Sequence, residues 1–239
     1  LIEELASAPH EAGSVAQKVG DLYNMAMDSV KLNKDGATPI KAELEKIAGL
    51  KDKSEIYTMI AEMHKNGMHP YFAVYVAADD MNSSVNTVHT YQAGLGMGER
   101  DYYLENDDKT KEIREAYKNH IVKMFRLAGY DEAVARKAME AVMKIETRLA
   151  TSARSMVELR DPHANYNKTM EEMKKEYAPF AWDVFFSTLG LNDLAEVNVG
   201  QPNSIKEVND IVNNVALEDQ KAYLQWNLIN NAAGCLSDD

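Results

Sequence analysis

The sequence predicts a mainly α-helical fold: a multi-helix domain that carries one small β-hairpin at about residues 71–92. Through most of the chain, apolar residues recur at steps of three and four, the spacing of one helix face. Residues that commonly cap helices stand at the heads of several of these segments. Only two neighbouring runs, "YFAVYVAADD" and "SVNTVHTYQA", are instead rich in β-branched and aromatic residues.

The first long helical segment is "EAGSVAQKVGDLYNMAMDSVKL". Its periodic stripe consists of Val15, Val19, Leu22, Ala26 and Val30. The spacing predicts one amphipathic helix with a single apolar face.

Two shorter helices are predicted next. Thr38 followed by Pro39 is a favourable N-cap and first-turn pair for "PIKAELEKIAGL". Ser54 is predicted to cap "EIYTMIAEMHKN", and Gly67 to end that helix in the left-handed conformation that glycine adopts easily.

The two β-rich runs are separated by the turn-like "DMNS" and predict a hairpin whose edges need cover from helices. The glycine-rich stretch "YQAGLGMGERDYYLENDD" follows, before a long helix. It lacks the Gly-Lys-Ser/Thr ending of a phosphate-binding loop, and it does not provide the strand–Gly-x-Gly-x-x-Gly–helix order of an α/β unit that a dinucleotide fingerprint requires. A structural corner is the simplest interpretation.

Long helices dominate the remainder. The segment from Asp107 to Gly129 places an apolar stripe on one face, and Asp131 opens the next helix. That stripe is Ile113, Tyr117, Ile121, Met124 and Phe125.

Capping-box spacings are expected to head two later helices. These are Thr169 with Glu172, and Ser204 with Glu207. The apolar "PFAWDVFFSTLG" is expected to pack inward, and "ALEDQKAYLQWNLINNAAGCL" forms the last helix. No linker divides the chain, so residues 1–239 are predicted to form a single domain.

Charge and composition exclude several classes of protein. The chain has 26 basic and 38 acidic residues, a net charge of −12, so nucleic acid and anionic membranes are disfavoured as partners. It contains no apolar run long enough for a transmembrane helix. Cys235, the single cysteine, cannot form an internal disulfide. The 13 methionines are expected to fill the core, with a peptide-accommodating surface as the alternative.

The sequence contains no legible catalytic or metal site. "HEAGS" places Ser14 where a His-Glu-x-x-His zinc motif needs its second histidine, so His10 is expected at the surface. His64 and His69 are expected at a solvated helix end. His89 is expected in a strand, and His120 and His163 are isolated. The acidic pairs 79–80 and 107–108 suit a hairpin turn and a helix N-terminus better than a catalytic dyad.

"GLGMGERDYY" resembles the "GLGLP-x-RDYY" corner of the neprilysin and endothelin-converting-enzyme family of zinc metallopeptidases, notably the bacterial oligopeptidase O type. The matching residues are Leu95, Gly96, Arg100, Asp101, Tyr102 and Tyr103. "DLYNMAMD", "DDMNSSVNTVHTYQAGLG", "KIETRLA", "RDPHANYNKTMEEM" and "LEDQKAYLQWNLIN" are similar to further family segments in the same order. The resemblance runs from about residue 15 to the end of the chain.

The resemblance implies that the chain is the amino-terminal helical part of a longer two-domain peptidase. Zinc, its His-Glu-x-x-His helix and the substrate-gripping residues would belong to a C-terminal catalytic domain, and oligopeptides would be the substrates. No catalytic, metal or cofactor residue is therefore expected in this chain, which alone should be inactive. The six corner residues are expected to be structural; in an alternative, Arg100 or Tyr102 also faces the peptide chamber.

Two positions depart from the family pattern. Gly98 stands where the corner usually has proline, which loosens a turn that proline would pre-set. Asn24 stands where some members have an arginine that grips the substrate carboxylate, so Asn24 is a doubtful substrate contact.

Three functions remain open at this stage. The first is the gating part of a zinc endopeptidase, and the second is a free-standing helical module that binds peptides or proteins. The third is an independent hydrolase with an unrecognised triad. Animal members of the family carry disulfides that this chain cannot form, so the resemblance implies a bacterial homologue. For such a homologue we expect a cell-envelope location, periplasmic or secreted, with a cytoplasmic location as the alternative.

Overall fold

Helices make up most of the chain, which confirms the predicted fold class. The computed structural model describes residues 1–161 and 166–239. In these ranges the α-helices are α1 (Ile2–Ala6), α2 (Val15–Met27), α3 (Ser29–Asp35), α4 (Lys41–Ala48), α5 (Ser54–Lys65), α6 (Asp101–Leu104), α7 (Asp108–Leu127), α8 (Glu132–Ser152), α9 (Met170–Glu176), α10 (Trp182–Thr188), α11 (Pro202–Asn214) and α12 (Leu217–Ala232). Short 3₁₀ turns lie at Thr38–Ile40, Glu158–Arg160 and Ala233–Cys235.

The predicted hairpin is present, but it is half of a larger sheet. The strands are β1 (Phe72–Ala78), β2 (Asn86–Gln92), β3 (Asn167–Thr169) and β4 (Glu196–Val199), in the order β1-β2-β4-β3. The β1–β2 and β3–β4 pairs are antiparallel, whereas β2 and β4 are parallel. Strands β3 and β4 are too short to show an alternating pattern, so the sequence did not reveal them.

One residue from each strand forms a polar row across the sheet: Tyr75, His89, Asn198 and Asn167 are register partners. The Tyr75 and His89 rings are stacked, with centroids 5.1 Å apart. Asn198 Nδ2 donates to Asn167 Oδ1 at 2.8 Å, and Asn167 Nδ2 donates to Asp79 Oδ2 at 2.6 Å. Asp79 does lie in the hairpin turn, as predicted, and it ties that turn to the far edge of the sheet.

Helix α8 lies at the centre of the helical part, where it contacts α6, α7, α11 and α12. Helix α10 packs on α5 and buries Trp182, Phe185 and Phe186, which confirms that its apolar segment faces inward. Buried residues from α4 to α12 and from the sheet join one hydrophobic cluster, to which α1, α2 and α3 contribute no residue. The core therefore lies in the part of the chain from α4 onward.

The boundaries of α7 and α8 agree with the sequence. Asp107 and Asp131 each accept a hydrogen bond from the backbone N–H three residues later, as N-caps do. Phe125, from the predicted stripe of α7, is fully buried, and Gly129 follows the helix with φ of +97°.

Two predicted caps are wrong, because each is itself the first residue of its helical segment. Thr38 makes no side-chain cap; it starts a 3₁₀ turn that leads into α4. Ser54 lies inside α5, and it is Asp52 Oδ1 that accepts from the Ser54 N–H, at 2.8 Å. In both cases the predicted cap lies one residue after the N-cap position in the structure.

The two later capping boxes have opposite outcomes. Thr169 and Glu172 form the predicted reciprocal box at the head of α9. Ser204 does not cap α11, which begins at Pro202; it is buried and donates to Ser152 O at 3.2 Å. The hydroxyl therefore ties α11 to α8 instead of ending a helix.

The first predicted helix is divided at Asp28 into α2 and α3, and its apolar stripe faces outward. Exposed fractions are 78 % for Val15, 62 % for Leu22 and 80 % for Val30. The buried position of α2 is Gly20, where a Cβ would lie 2.6 Å from a carbonyl oxygen of α1. Close packing against α1 therefore uses the glycine side of α2 and leaves the apolar stripe without a partner in the described residues.

None of the helices in the described ranges is both long and apolar enough to cross a membrane.

Candidate functional site

The glycine-rich stretch between β2 and α6 is a corner (residues 93–100) in which two glycines are required by close packing. A Cβ at Gly94 would lie 2.7 Å from Tyr71 N, and one at Gly96 would lie 2.8 Å from the Tyr117 ring. Gly94 also has φ of +83°. Gly98 has φ of +82° in open space, a conformation that proline cannot adopt, so the corner backbone differs here from one that carries proline.

The other motif residues hold the corner to the helices. Arg100 Nη1 donates to Ala153 O at 2.5 Å, at the end of α8, and Arg100 Nε lies 3.9 Å from Asp101 Oδ1. Leu95 packs against the core. Tyr102 is 37 % exposed, so its ring is only partly covered by the fold.

Tyr103, which follows the corner in α6, is hydrogen-bonded to a buried acid, Glu146 of α8. Glu146 is 1 % exposed, and its two oxygens accept from Tyr103 Oη at 2.8 Å and from Tyr117 Oη at 2.9 and 3.1 Å. The Gly96 N–H is 3.3 Å from Glu146 Oε1. Trp226 Nε1 of α12 in turn donates to Tyr117 Oη at 3.0 Å. We call these five residues the Glu146 network; it joins the corner, α6, α7, α8 and α12.

Burial governs the electrostatics of this network. It raises the pKa of Glu146 to about 7, although the hydrogen bonds from Tyr103 and Tyr117 act in the opposite direction. Burial, followed by the nearby Glu146 charge, raises the pKa of both tyrosines well above the usual value. Because the oxygens of Glu146 are already bonded and shielded from solvent, it can orient the corner but cannot touch a substrate.

A second contact set holds the start of β1 against the same corner. The Tyr71 N–H donates to Tyr223 Oη at 3.1 Å, and Tyr223 Oη donates to Gly94 O at 2.8 Å. Tyr71 has φ of +66°, and its hydroxyl donates to Gln220 at 3.3 Å. Helix α12 therefore fixes both the entry to the hairpin and the corner that leaves it.

A pocket of about 260 Å³ opens beside the corner. Its wall includes Gly94, Gly98, Arg100 and Arg154. Arg100 Nε is buried there without a hydrogen bond. Of the motif residues, Leu95 and Arg100 line this pocket, where they could meet a ligand.

The histidines do not converge on a site in the described residues. His10 is partly buried, with Nε2 2.9 Å from Leu5 O, rather than fully at the surface. His64 is not solvated as expected: its ring nitrogens lie 2.8 Å from Ile60 O and Phe72 O, and burial lowers its pKa. His163 lies outside the described residues.

Asn24 makes a local contact only. It lies on α2, and its Nδ2 donates to Ala6 O at 2.9 Å. It stands apart from the corner, and the structure does not bring the two together. Glu146 is the residue that sequence reasoning overlooked; the available signal was an acid among the apolar positions 142, 145 and 149 of one helix face.

The comparison with protein families finds one model over the whole chain. The amino-terminal model of peptidase family M13 matches residues 1–239. Endothelin-converting enzyme 1 from Mus musculus is 27% identical over 249 residues, which cover 99% of this chain and 32% of that protein.

Solved structures give the same picture. The zinc metalloprotease ZMP1 of Mycobacterium tuberculosis, in complex with an inhibitor, superposes with a TM-score of 0.92 at 28% identity, over 99% of this chain and 36% of that one. The open state of ZMP1 gives a TM-score of 0.91 at 28% identity, over 100% and 37%. This chain thus spans about a third of the length of the relatives it matches.

Proposed function

We propose, from the premise that this chain belongs to peptidase family M13, that it is the substrate-gating amino-terminal part of a zinc-dependent metalloendopeptidase that cleaves oligopeptides. The observation that carries the proposal is the extent of the match: the whole chain aligns with about a third of relatives that are named as converting enzymes or zinc metalloproteases. The partner of this part would be the catalytic domain of the same polypeptide.

The two ZMP1 states support a gating role. An open state and an inhibitor complex of that protein superpose on this chain equally well, with TM-scores of 0.91 and 0.92. A partial open state superposes less closely, with a TM-score of 0.78, so the support comes from the open and inhibitor-bound states alone. A part that keeps its shape in those two states is suited to move as one body. We infer that this chain likewise opens and closes access to a peptide chamber.

The outward apolar stripe supports a large intramolecular partner. Val15, Leu22, Met25 and Val30 are each more than half exposed on α2 and α3. Contiguous exposed apolar surface of this kind marks an interaction site. In the proposed enzyme the rest of the polypeptide covers it.

The described residues do not fit a zinc ion. They contain no group of 3 or more His, Cys, Asp or Glu side chains placed to hold a metal. We assign the zinc of the proposed enzyme to the part of the polypeptide that this chain does not cover, because the family resemblance implies a His-Glu-x-x-His helix there. This chain's own contribution is to shape and gate the chamber.

The test compares the 239-residue chain with the longer polypeptide that continues it. We expect the longer protein to bind zinc and cleave a quenched peptide, to lose activity with a chelator, and to spare folded proteins that cannot enter the chamber. The short chain should bind no stoichiometric zinc and cleave nothing. Stoichiometric zinc with turnover in the short chain would overturn the proposal.

The alternative, a free-standing helical binding module, makes a different prediction. The reading frame would then stop after Asp239 instead of continuing to a His-Glu-x-x-His helix. We also propose a bacterial cell-envelope location, periplasmic or secreted, which fractionation of the source cells would test; recovery in the cytoplasm would contradict it.

A further inference from the structure

A pocket of about 370 Å³ lies over the polar row of the sheet, separate from the Glu146 network. We call it the sheet-face pocket. Strands β1, β2 and β4 line it, as does the segment 154–161, and its side chains include Tyr75, Asp80, His89, Tyr91, Arg154 and Arg160. Its volume falls in the range of small ligand sites. None of these residues belongs to the sequence motif that marks the corner.

His89 gives the first indication of a ligand. The side chain is 4 % exposed and its ring is stacked on Tyr75, yet Nε2 has no hydrogen-bond partner in the described residues. Buried polar atoms of folded proteins are almost always hydrogen-bonded. A ligand atom in the pocket would supply the missing partner.

Arg154 and Arg160 give the second indication of a ligand. Four arginines lie within ion-pair distance of a carboxylate: Arg100, Arg126, Arg136 and Arg148. In the described part of the chain, neither Arg154 nor Arg160 forms such a pair. Arg114 forms none either, but its guanidinium donates to two backbone carbonyls. Guanidinium groups without an internal carboxylate are suited to bind one from outside.

Arg154 is held in place before any ligand binds. Gln92 Nε2 donates to Arg154 O at 2.9 Å, and Arg154 N donates to Gln92 Oε1 at 2.7 Å. Its Nη2 donates to Tyr166 Oη at 2.9 Å. The Glu158 carboxylate lies close enough to Arg154 for the two charges to interact. Glu158 Oε2, however, already accepts from the N–H and the hydroxyl of Ser155, each at 2.7 Å.

Charge is not uniform along the pocket. Arg154 is bound to Gln92, the last residue of β2, whereas Asp80 follows β1 at the opposite, turn end of the hairpin. Asp161 also lines the pocket. A carboxylate is therefore favoured beside Arg154, and peptide N–H groups are favoured beside Asp80.

We propose that the sheet-face pocket binds a carboxylate of a peptide, from an acidic side chain or from a free C-terminus, with Arg154 and Arg160 as its charge partners and His89 Nε2 as a further hydrogen-bond partner. The proposal rests on the proposed function, because it takes peptides as the ligand class. It adds a preference for acidic peptides at a place distinct from Asn24.

The test is a titration of the 239-residue chain, labelled in its histidine rings, with three acetylated alanine-based peptides. The first carries a central glutamate and a C-terminal amide, the second carries glutamine instead, and the third has only a free C-terminal carboxylate. We expect the glutamate or the free-carboxylate peptide to shift the His89 ring signals and to bind at least about fivefold more tightly than the glutamine peptide. The peptide that shows these effects identifies whether the bound carboxylate comes from an acidic side chain or from a free C-terminus.

Variants separate a specific site from general charge. Arg160→Gln, at an exposed position, should weaken binding of the preferred peptide by about fivefold or more, and Arg154→Gln should do the same if its melting curve shows that it folds. Arg136→Gln removes the same charge on α8, away from the pocket, and should leave binding unchanged. Equal affinity for all three peptides, or equal effects of Arg160→Gln and Arg136→Gln, would overturn the proposal.

Failure of this proposal and failure of the proposed function are distinguishable. If the longer polypeptide cleaves peptides but the short chain shows no dependence on Arg160, the pocket assignment is wrong and the peptidase role stands. If the short chain binds acidic peptides through Arg160 but the longer polypeptide cleaves nothing, the pocket stands and the peptidase role fails.

Discussion

Glu146→Gln should change how the stability of this protein depends on pH. The substitution keeps the size of a side chain that accepts hydrogen bonds from Tyr103, Tyr117 and Gly96, and it removes the charge. Burial raises the pKa of Glu146 from the ordinary value of 4.5 to about 7. The folded protein therefore keeps a proton over a pH range in which the unfolded chain has released it.

The sign and size of the change in unfolding free energy follow from the difference in bound protons between the folded and unfolded states. Between pH 4.5 and about 7 the unfolded state binds fewer protons at this position, so the free energy of unfolding falls as pH rises. At about 1.4 kcal/mol for each pKa unit, the rise from 4.5 to about 7 corresponds to a loss of about 3 kcal/mol at neutral and higher pH. Glutamine has no proton to release. The variant should match the wild type near pH 4.5 and be more stable by about 3 kcal/mol near pH 8.

Urea unfolding followed by circular dichroism measures this difference. Midpoints and slopes should be taken for both proteins at about pH 4.5, 6 and 8. The protein must be dilute at the acidic end, because its isoelectric point is about 5.0. Glu140→Gln is the matched control: Glu140 is exposed on the same helix, so its removal should produce no comparable change.

Two results would refute the reasoning. A stability difference between Glu146→Gln and wild type that stays constant across the pH range would mean that the folded protein does not hold this proton. A variant that is less stable at every pH would mean that the carboxylate form is needed by the network. A similar pH dependence in Glu140→Gln would assign the effect to net charge.

Further predictions concern the corner and the outward stripe. Gly96→Ala should lower the free energy of unfolding by at least about 2 kcal/mol, because the new methyl group overlaps the Tyr117 ring. Gly98→Ala lies in open space and should lower it by only about 1 kcal/mol, because alanine disfavours the left-handed backbone at that position. Urea unfolding of both variants compares the two effects. Tyr117→Phe should lose about 1–3 kcal/mol by the same assay, since it leaves the Trp226 N–H without an acceptor; an unchanged midpoint would show that this bond is dispensable. Leu22→Ser should change the stability of this chain by less than about 0.5 kcal/mol but reduce peptide cleavage by the longer polypeptide; equal cleavage would contradict the covered-stripe proposal.

Local signals predicted much of the fold because they act over a few residues. The caps Asp107 and Asp131, and the hairpin at about residues 71–92, depend on adjacent side chains and were found. The strands β3 and β4 were not, since each has too few residues to carry a pattern.

The candidate site depended on contacts between residues distant in sequence. Glu146 meets Tyr103 and Tyr117 from 43 and 29 residues away, and no spacing rule connects them. His89 was recognised as a strand residue, but its stacked and unpartnered state depends on β1 and on the segment 154–161. The outward direction of the α2 stripe could not be predicted either, since periodicity shows which residues share a face but not what covers that face.

A buried acid that lowers stability at neutral pH calls for a reason beyond stability. Well-packed apolar residues often match or exceed a buried polar cluster in free energy, whereas a cluster with one satisfying geometry fixes how its elements meet. Glu146 is satisfied only when α6 brings Tyr103, α7 brings Tyr117 and the corner brings Gly96 to the same place. Because the corner also carries Arg100 beside the 260 Å³ pocket, we infer that the network lowers stability but fixes the wall of that pocket. Glu146→Gln, if stabilising, should therefore still reduce peptide turnover by the longer polypeptide, and a stabilised variant with full turnover would rule this inference out.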